Sequence, residues 1–480
     1  MRGLLSLLLL GLLSIVQALS SSGNNLLVVL EDVAEKSKYS TYLADLEGRG
    51  FKISYESPKS ESLGLFSLGE RVYDHVLVLP LKLKGLGPNL TPKILLDFVN
   101  AGGNILLTLS STTPPPSAIV SLLLELDIHL PNDRNALVVD HYNYDTMSAA
   151  DKHDVLLIPR PSSIRPDVKN FFAGKADEVI AFPRGVGQTL GNTSPLLTPI
   201  LRAPRTAYSY NPKDEVEGVE DPFAVGEQLS LITTMQARNS ARFTVVGAAE
   251  MLENTWFDAK VKLSGGKDAK TVNQAFAKEV TGWTFNEIGV LQVGMIEHFL
   301  NEGGVKSNIT SPKIYRVKND VVGNFLERKR NPANKYQTYE IELSEYSWDT
   351  WEPFVPVAGD QLQLEFSMLS PFHRLPLKLL TTTPSSAIYT ASFKLPDQHG
   401  IFNFKVNYKR PFLSNVEEKN TVTVRHFAHD EWPRSWVISG AWPWIAGIGV
   451  TITGWLAFVA LWLWSKPVPL KLTTSGKKIQ

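Results

Sequence analysis

Short apolar runs alternate with amphipathic segments in the first part of the chain. The runs LLVVL (26–30), HVLVL (75–79) and NILLTL (104–109) have the length of buried strands. Between them, segments 40–48 and 91–103 have helical spacing and end at glycine. This alternation predicts parallel βαβ units, and therefore a doubly wound, Rossmann- or flavodoxin-like α/β domain over residues 19–160.

A middle region, residues 161–305, contains the same kinds of elements in a less regular order. Its apolar runs predict further strands, and TVNQAFAKEVTGWTF (271–285) predicts a helix. Just before this region, VVDHYNYD (138–145) also has the pattern of a strand. We therefore expect a second α/β region here.

Strand-like alternation without helices extends over residues 306–428. The segments TYEIEL, QLQLEFSML, SAIYTASFKL, GIFNFKVNYK and NTVTVRHF are separated by Pro, Gly, Asp and Asn. Several antiparallel strands at this spacing indicate a β-sandwich. A juxtamembrane link, residues 429–436, follows it.

One apolar segment near the carboxyl end is long enough to cross a bilayer. No charged residue occurs between Arg434 and Lys466, and a spanning helix needs about 20 residues. Tryptophans lie near both ends, as in the aromatic belts of membrane interfaces. The segment predicts a transmembrane helix over residues 437–464; a buried helix of a soluble core is the alternative.

The amino-terminal segment, residues 1–18, has the three regions of a secretory signal. Arg2 precedes an apolar run, and Val16-Gln17-Ala18 supplies small residues for cleavage before Leu19. The alternative is an uncleaved anchor, although the run is shorter than a bilayer requires. The tail, residues 465–480, carries lysines and no acid, which predicts a cytosolic tail and a luminal body in a single-pass type I protein.

Lys477 and Lys478 stand fourth and third from the carboxyl end of the sequence. On a cytosolic tail, this spacing resembles the di-lysine signal that returns membrane proteins to the endoplasmic reticulum. Such a signal is an address that a receptor binds. The alternative is that both lysines serve only as positive-inside charges.

The composition excludes several kinds of partner and reactive group. The chain has 48 basic and 48 acidic residues, so no basic excess points to nucleic acid. It has no cysteine, which excludes disulfides, thiol nucleophiles and thiolate metal ligands. A luminal body of this kind must be stabilised by packed cores.

The sequence contains no G-x-S-x-G, H-E-x-x-H or Walker-type motif. Gly185-Val186-Gly187-Gln188-Thr189-Leu190-Gly191 approaches a dinucleotide fingerprint, but its spacing and place are wrong, so we interpret these as turn glycines. Asp140, His141 and Asp145, with Asp151, His153 and Asp154 nearby, have the residue types of a metal or proton-transfer site. Turn capping is the simpler interpretation, and we assign no catalytic, cofactor or metal residue.

Three further sets of residues carry predictions. Small residues at helical spacing in the apolar segment predict a helix-packing face. Three N-x-S/T sequons predict glycosylation, and Asn308 is the best candidate among them. Tryptophans offer stacking platforms for a sugar or lipid, although core packing is the commoner role. The packing face is Gly440, Gly447, Thr451, Gly454 and Ala457; the sequon asparagines are Asn308, Asn89 and Asn192; the tryptophans are Trp256, Trp283 and Trp348.

Taken in order, several segments resemble one family over nearly the whole mature chain. They are LVVLED, DLEGRGF, VYDHVLVLP, DFVNAGGNILL, VVDHYNYD, PRGVGQ, MQARNSAR, GWTFNEIGVL, GDQLQLEF and FKLPDQHGIFNFKVNYKR. No single segment is chemically specific, but their collinear succession resembles the 48-kDa, WBP-type subunit of oligosaccharyltransferase.

The resemblance implies a subunit of the endoplasmic reticulum complex that transfers a preassembled glycan from dolichyl diphosphate to Asn in N-x-S/T. It implies that catalysis and the metal belong to a different, multi-span subunit, and that this chain serves in assembly and in the handling of substrate. It also implies an amidotransferase-like amino-terminal fold without that activity, since this chain lacks the required cysteine. Two alternatives stay open: a luminal glycan- or lipid-binding module, and an independent hydrolase using Asp140, His141 and Asp145.

Overall fold

The structure is a computed structural model that describes most of the chain. The described residues are 20–83, 85–163, 165–175, 177–191, 194–212, 221–263, 265–266, 268–302, 305–306, 308–317, 336–396, 398–426 and 442–467. The predicted signal, residues 1–18, the link at 429–436 and Lys477 and Lys478 lie outside them.

The amino-terminal part is built on a mixed sheet of seven described strands. Their order across the sheet is β12-β14-β15-β6-β5-β1-β2. The five strands from β2 to β15 run parallel, whereas β14 and β12 are antiparallel to their neighbours. The bounds are β1 Asn25–Val29, β2 Lys52–Glu56, β5 His75–Val78, β6 Asn104–Thr108, β12 Leu197–Arg202, β14 Ser230–Gln236 and β15 Arg242–Val246.

Both faces of this sheet are covered by helices. Alternate residues of β1 enter different hydrophobic clusters: Leu26 and Val28 face one, Leu27 and Val29 the other. Because side chains alternate along a strand, a strand buried on both faces appears in the sequence as a continuous apolar run. Helices α1 (Ser40–Gly48) and α5 (Asn273–Thr284) cover the first face, and α2 (Pro92–Asn100) and α3 (Ser117–Glu125) cover the second.

Smaller elements complete this part. They are the strands β3 Phe66–Ser67, β4 Glu70–Arg71, β7 Ile128–His129, β8 Leu137–Val139, β9 Val155–Pro159, β10 Val179–Pro183, β11 Thr189–Leu190, β13 Tyr208–Tyr210, β16 Lys260–Lys262 and β17 Asp268–Lys270; helix α4 Asn254–Phe257; and the 3₁₀ turns Val33–Tyr39, Gly226–Gln228 and Ala249–Leu252. Strands β12, β14 and β15 come from the region predicted as 161–305, so the predicted boundary at residue 160 does not coincide with an edge of the sheet.

The second part contains two sheets in the described residues. One has the order β19-β18-β21-β26-β25, with β22 also on β21; the other includes β28-β27-β23-β24. Their facing side chains form an aromatic core, in which Phe404 stacks on Tyr339 (5.3 Å between centroids) and Phe366 lies 5.1 Å from Phe393. The bounds are β18 Ile288–Glu302, β19 Val305–Lys306, β21 Tyr336–Ser347, β22 Thr350–Pro353, β23 Gln363–Ser367, β24 Pro371–Pro376, β25 Lys378–Thr382, β26 Ala387–Lys394, β27 Gly400–Tyr408 and β28 Val416–His426.

A separate, smaller compact unit includes the end of β28 and the carboxyl-terminal helix. In it, β20 (Ile314–Val317) pairs in parallel with Thr423–His426. Helix α6 (Trp442–Trp464) has 23 residues and is the one described helix long and apolar enough to cross a membrane. Its mean hydropathy of 1.8 and exposed side chains suit a lipid environment.

Candidate functional site

The segment 140–154 forms turns whose carboxylates accept hydrogen bonds from the chain itself. The buried Asp140 carboxylate accepts from the backbone N–H groups of Tyr142 (2.8 Å) and Asn143 (3.2 Å), and from the Thr206 hydroxyl (2.7 Å). Burial alone would raise the pKa of Asp140, but the hydrogen bonds from Asn143, Tyr142 and Thr206 outweigh it and lower the pKa below its ordinary value. This turn ends β8 at Val139, so the strand predicted over 138–145 is wrong beyond that residue.

The Asp145 carboxylate also accepts hydrogen bonds from nearby backbone N–H groups. Its buried carboxylate accepts from the backbone N–H groups of Met147 (3.2 Å), Ser148 (3.1 Å) and Lys262 (2.9 Å), and from the Ser148 hydroxyl. Because these donors surround both oxygens, Asp145 ties its own turn to β16.

Of the histidines of this segment, His141 is exposed and His153 is partly buried. Nδ1 of His141 contacts Nδ1 of His153, and Nε2 of His141 lies 3.0 Å from the Tyr208 hydroxyl. The His153 ring packs 4.0 Å from that of Tyr144. Within the described residues, no three or more His, Asp or Glu side chains group in a way that would hold a metal ion. The structure thus brings His141 and His153 together, whereas the carboxylates of Asp140 and Asp145 accept hydrogen bonds within their turns.

A serine, a histidine and an asparagine meet at the start of the parallel strands. Ser20 Oγ lies 3.1 Å from Nε2 of the buried His75, and His75 Nδ1 lies 3.2 Å from Asn104 Nδ2. The backbone N–H of Arg242 donates to Asn104 Oδ1 at 2.8 Å, which fixes that amide. Asn104 Nδ2 must then donate to His75 Nδ1, so the proton of the neutral ring is on Nε2 and points at Ser20 and at the Gly23 carbonyl (3.0 Å).

This arrangement is the reverse of a nucleophile–base pair. A general base needs an unprotonated nitrogen toward the serine hydroxyl, whereas here the Ser20 hydroxyl donates to the Phe285 carbonyl at 2.6 Å. Burial lowers the pKa of His75 to about 3, which keeps the ring neutral. The group is therefore a structural network.

Arg242 extends the network to the second part of the chain. Its fully buried guanidinium donates to the backbone carbonyls of Trp283, Ile288 (2.7 Å) and Gly289 (2.7 Å), and it lies 4.6 Å from the Trp283 ring centroid. Burial lowers the pKa of Arg242 to about 9, and Glu345 acts in the opposite direction. One side chain thus fixes the end of α5 and the start of β18.

We define the junction as the four buried polar residues Ser20, His75, Asn104 and Arg242 together with the turn 283–289. His75, Asn104 and Arg242 each begin a parallel strand, so the junction lies at the amino edge of the sheet. The Trp283 indole N–H completes it by donating to the Phe412 carbonyl at 2.8 Å. The sequence analysis missed these residues, and the one available signal was a polar residue directly before each apolar run.

Comparison with known proteins identifies the family. The profile of the OST48 N-terminal domain matches residues 17–287, and that of the OST48 middle domain matches residues 304–466. The chain belongs to the OST48 family.

Curated relatives agree with this assignment. The chain is 33% identical over 441 residues to dolichyl-diphosphooligosaccharide–protein glycosyltransferase subunit wbp1 of Schizosaccharomyces pombe, with 92% of each chain covered. It is 30% identical over 475 residues to the 48 kDa subunit of the same enzyme in Caenorhabditis elegans, covering 98% of this chain and 97% of the relative. Against the Arabidopsis thaliana 48 kDa subunit the identity is 29%, with 96% and 98% covered.

Segments that carry the resemblance to the OST48 family meet at the junction. DFVNAGGNILL contains Asn104, MQARNSAR ends at Arg242, and GWTFNEIGVL contains Trp283 and Gly289. Gly289 has a φ of +70°, and an added Cβ would lie 2.5 Å from the Phe412 carbonyl oxygen. In this chain, these segments thus supply residues that are packed in the interior.

The tryptophans occupy packed positions in this member of the OST48 family. Trp283 is 1% exposed, so the hypothesis that it stacks on a ligand is wrong. Trp256 and Trp348 are partly buried against hydrophobic clusters, and Lys278 Nζ lies 5.0 Å from the Trp348 ring centroid.

The remaining predicted residues are placed as follows. Gly447, Thr451 and Gly454 follow one another along one side of α6, whereas Ala457 lies about 80° from Gly447 around the axis. Gly440 is outside the described residues, as is the sequon residue Asn192. Asn308 is exposed, and Asn89 is half-buried, with its amide 3.4 Å from the Ser60 carbonyl.

Proposed function

We propose that this chain is a non-catalytic, single-pass subunit of the oligosaccharyltransferase of the endoplasmic reticulum membrane. That complex transfers a preassembled glycan from dolichyl diphosphate to Asn of N-x-S/T sequons. The observation that carries the proposal is the match to both OST48 domains over residues 17–287 and 304–466, together with one candidate spanning helix.

The proposed architecture follows the predicted fold classes. The amino-terminal part is a doubly wound, amidotransferase-like α/β domain, which a five-stranded parallel run with helices on both faces supports. The second part is a β-sandwich, which its two sheets and their shared aromatic core support.

The proposed topology is type I, with a luminal body and a cytosolic tail. The lysine-bearing tail beyond α6 supports this orientation. In that orientation Lys477 and Lys478 are available for retrieval to the endoplasmic reticulum, and Asn308 is the glycosylated sequon, followed by Asn89 and Asn192.

The non-catalytic role is supported by the chemistry of the candidate groups. Asp140 and Asp145 are surrounded by donors, and Ser20 donates to a backbone carbonyl while facing a protonated Nε2. The partners we propose are the other subunits, including the multi-span catalytic one, with indirect contact to the dolichyl-linked glycan. Neither an independent hydrolase nor a ligand-binding module is favoured by any feature of the described residues.

The test is purification of the tagged full chain from microsomes in mild detergent, combined with depletion and complementation. We expect copurification with a multi-span subunit, and loss of glycan transfer to an acceptor peptide on depletion. The double variant His141→Gln/His153→Gln should restore transfer as well as the wild-type chain does. Isolation as a lone monomer, or turnover of lipid-linked donor by the purified chain alone, would refute the proposal.

A further inference from the structure

The first described residues are part of the folded core. Ser20 is 4% exposed, and its hydroxyl donates to the Phe285 carbonyl, 265 residues later in the chain. Both the backbone N–H and the hydroxyl of Ser21 donate to the Asn286 carbonyl, at 3.1 and 3.0 Å. The Asn286 side-chain amide donates to Ser22 Oγ at 3.0 Å.

The residues that follow are also held in place up to the first strand of the sheet. Gly23 has a φ of +119°, and an added Cβ would lie 2.2 Å from the Asp74 carboxylate. Asn25, the first residue of β1, donates its backbone N–H to Asp74 Oδ2 at 3.0 Å. The segment is therefore held at one end by β1 and at the other by the α5–β18 turn.

The predicted processing bond, Ala18–Leu19, lies just before this segment and outside the described residues. Only Leu19 separates this bond from the buried Ser20 in the sequence, so a protease that holds the residues on both sides of the bond must also take up Ser20. A protease acts on exposed chain that can leave the folded surface for several residues on either side of the bond. Docked as observed, Ser20–Ser22 cannot leave it.

We propose that Ser20–Ser22 form an amino-terminal latch whose closure ends the period in which the signal can be removed. The inference rests on the predicted signal and goes beyond the proposed function. Signal peptidase hydrolyses the Ala18–Leu19 bond: water supplies a hydroxyl to the Ala18 carbonyl carbon and a proton to the Leu19 nitrogen. This step must precede docking of the latch onto Phe285 and Asn286.

The order follows from where the latch partner lies in the sequence. The latch cannot close until residues 285 and 286 have been made and translocated. At about 5–20 residues per second, the 265-residue interval gives a window on the order of 10 to 50 s. A signal that is cleaved within this window leaves the latch free to close, whereas a slower signal stays attached.

The experiment uses the full chain, translated in the presence of microsomes, with a slowed signal that carries Ala18→Thr. We expect a phase of cleavage during synthesis, followed by a persistent uncleaved fraction once chains are complete. Ser20→Asp places a charge in the buried position and should restore post-synthetic cleavage, at least about tenfold faster than in the slowed parent. Ser67→Asp is the control, because it makes the same substitution at an exposed serine outside the latch, and it should leave the uncleaved fraction unchanged.

A distant variant separates latch opening from altered peptidase recognition. Asn286→Gly keeps a residue suited to the φ of +59° but removes the amide that holds Ser22. It should also release cleavage after synthesis, although it lies far from the bond in sequence. Completion of cleavage in the slowed parent after synthesis, or failure of both Ser20→Asp and Asn286→Gly to release it, would overturn the latch. A wild-type mature chain whose mass includes residues 1–18 would instead refute the signal prediction itself.

Discussion

Replacing Arg242 by Met tests whether the junction is stabilised as described. The substitution keeps most of the apolar stem and removes the guanidinium that serves the carbonyls of Trp283, Ile288 and Gly289. Hydrogen bonds to a charged donor contribute about 1.5–3 kcal/mol each. Removing the buried cation also removes its desolvation cost of several kcal/mol. The net decrease in the free energy of unfolding is therefore smaller than the sum of the lost hydrogen bonds.

We expect a net loss of about 3 kcal/mol in the free energy of unfolding of the amino-terminal part, roughly a hundredfold in the folded-to-unfolded ratio. For a unit of this size, that corresponds to a lower melting temperature by about 6 °C. Arg242→Lys keeps the charge but lacks the several N–H donors of the planar guanidinium. The decrease in the free energy of unfolding should therefore be about half as large as for Arg242→Met.

The assay is thermal unfolding of the detergent-solubilised full chain, followed by tryptophan fluorescence. Arg238→Met is the control, because Arg238 is exposed and only four residues away. Melting of Arg242→Met within about 1 °C of the wild-type chain would refute the reasoning, since three buried carbonyls would then have lost their donor at no cost.

Three further outcomes are expected. His75 has a folded pKa near 3, below its ordinary 6.5, so the unfolded chain binds more protons. The free energy of unfolding should therefore fall by about 1.6 kcal/mol from pH 6.5 to 5, and His75→Gln should flatten this dependence in thermal melts. Asn308→Gln should remove a glycosidase-sensitive gel shift that Asn89→Gln leaves in place; the reverse result would contradict the exposure argument. Gly447→Leu should reduce copurification of partner subunits, whereas Ile452→Leu, about 140° away around α6, should not; equal effects would exclude a specific packing face.

The elements with strong periodicity could be predicted from the sequence. Helix α1 spans Ser40–Gly48 as its spacing indicated, and α2 begins after Thr91, whose hydroxyl accepts from the Ile94 N–H at 3.3 Å. The continuous apolar runs of β1, β5 and β6 identified strands buried on both faces. In each case the signal is local, and tertiary contacts agree with it.

Other elements depend on contacts that no local pattern contains. Helix α3 follows three prolines and is almost wholly apolar, so periodicity alone does not separate it from a buried strand. The strand pattern of 138–145 fails because the Asp140 side chain turns the backbone after Val139. Strand β15 pairs with β6 across a long sequence separation and brings β14 and β12 into the first sheet, which no local pattern indicates.

The roles of the residues in the candidate site likewise depend on contacts that no local pattern contains. The residue types at 140–154 suggested chemistry, and only the donors around Asp140 and Asp145 show that both carboxylates are engaged. Conversely, Asn104 and Arg242 carry no motif, and their roles follow from partners far away in sequence.

The concentration of buried polar contacts at the junction has a consequence for inherited or engineered variation. We expect a substitution at Arg242, Gly289 or Trp283 to raise the fraction of chains that quality control degrades, because Arg242 and Trp283 are buried and Gly289 has no room for a side chain. Such alleles should lower the cellular amount of the chain and leave the performance of each surviving copy unchanged. Abundance, rather than turnover per molecule, is therefore the quantity by which variants in this region should be ranked.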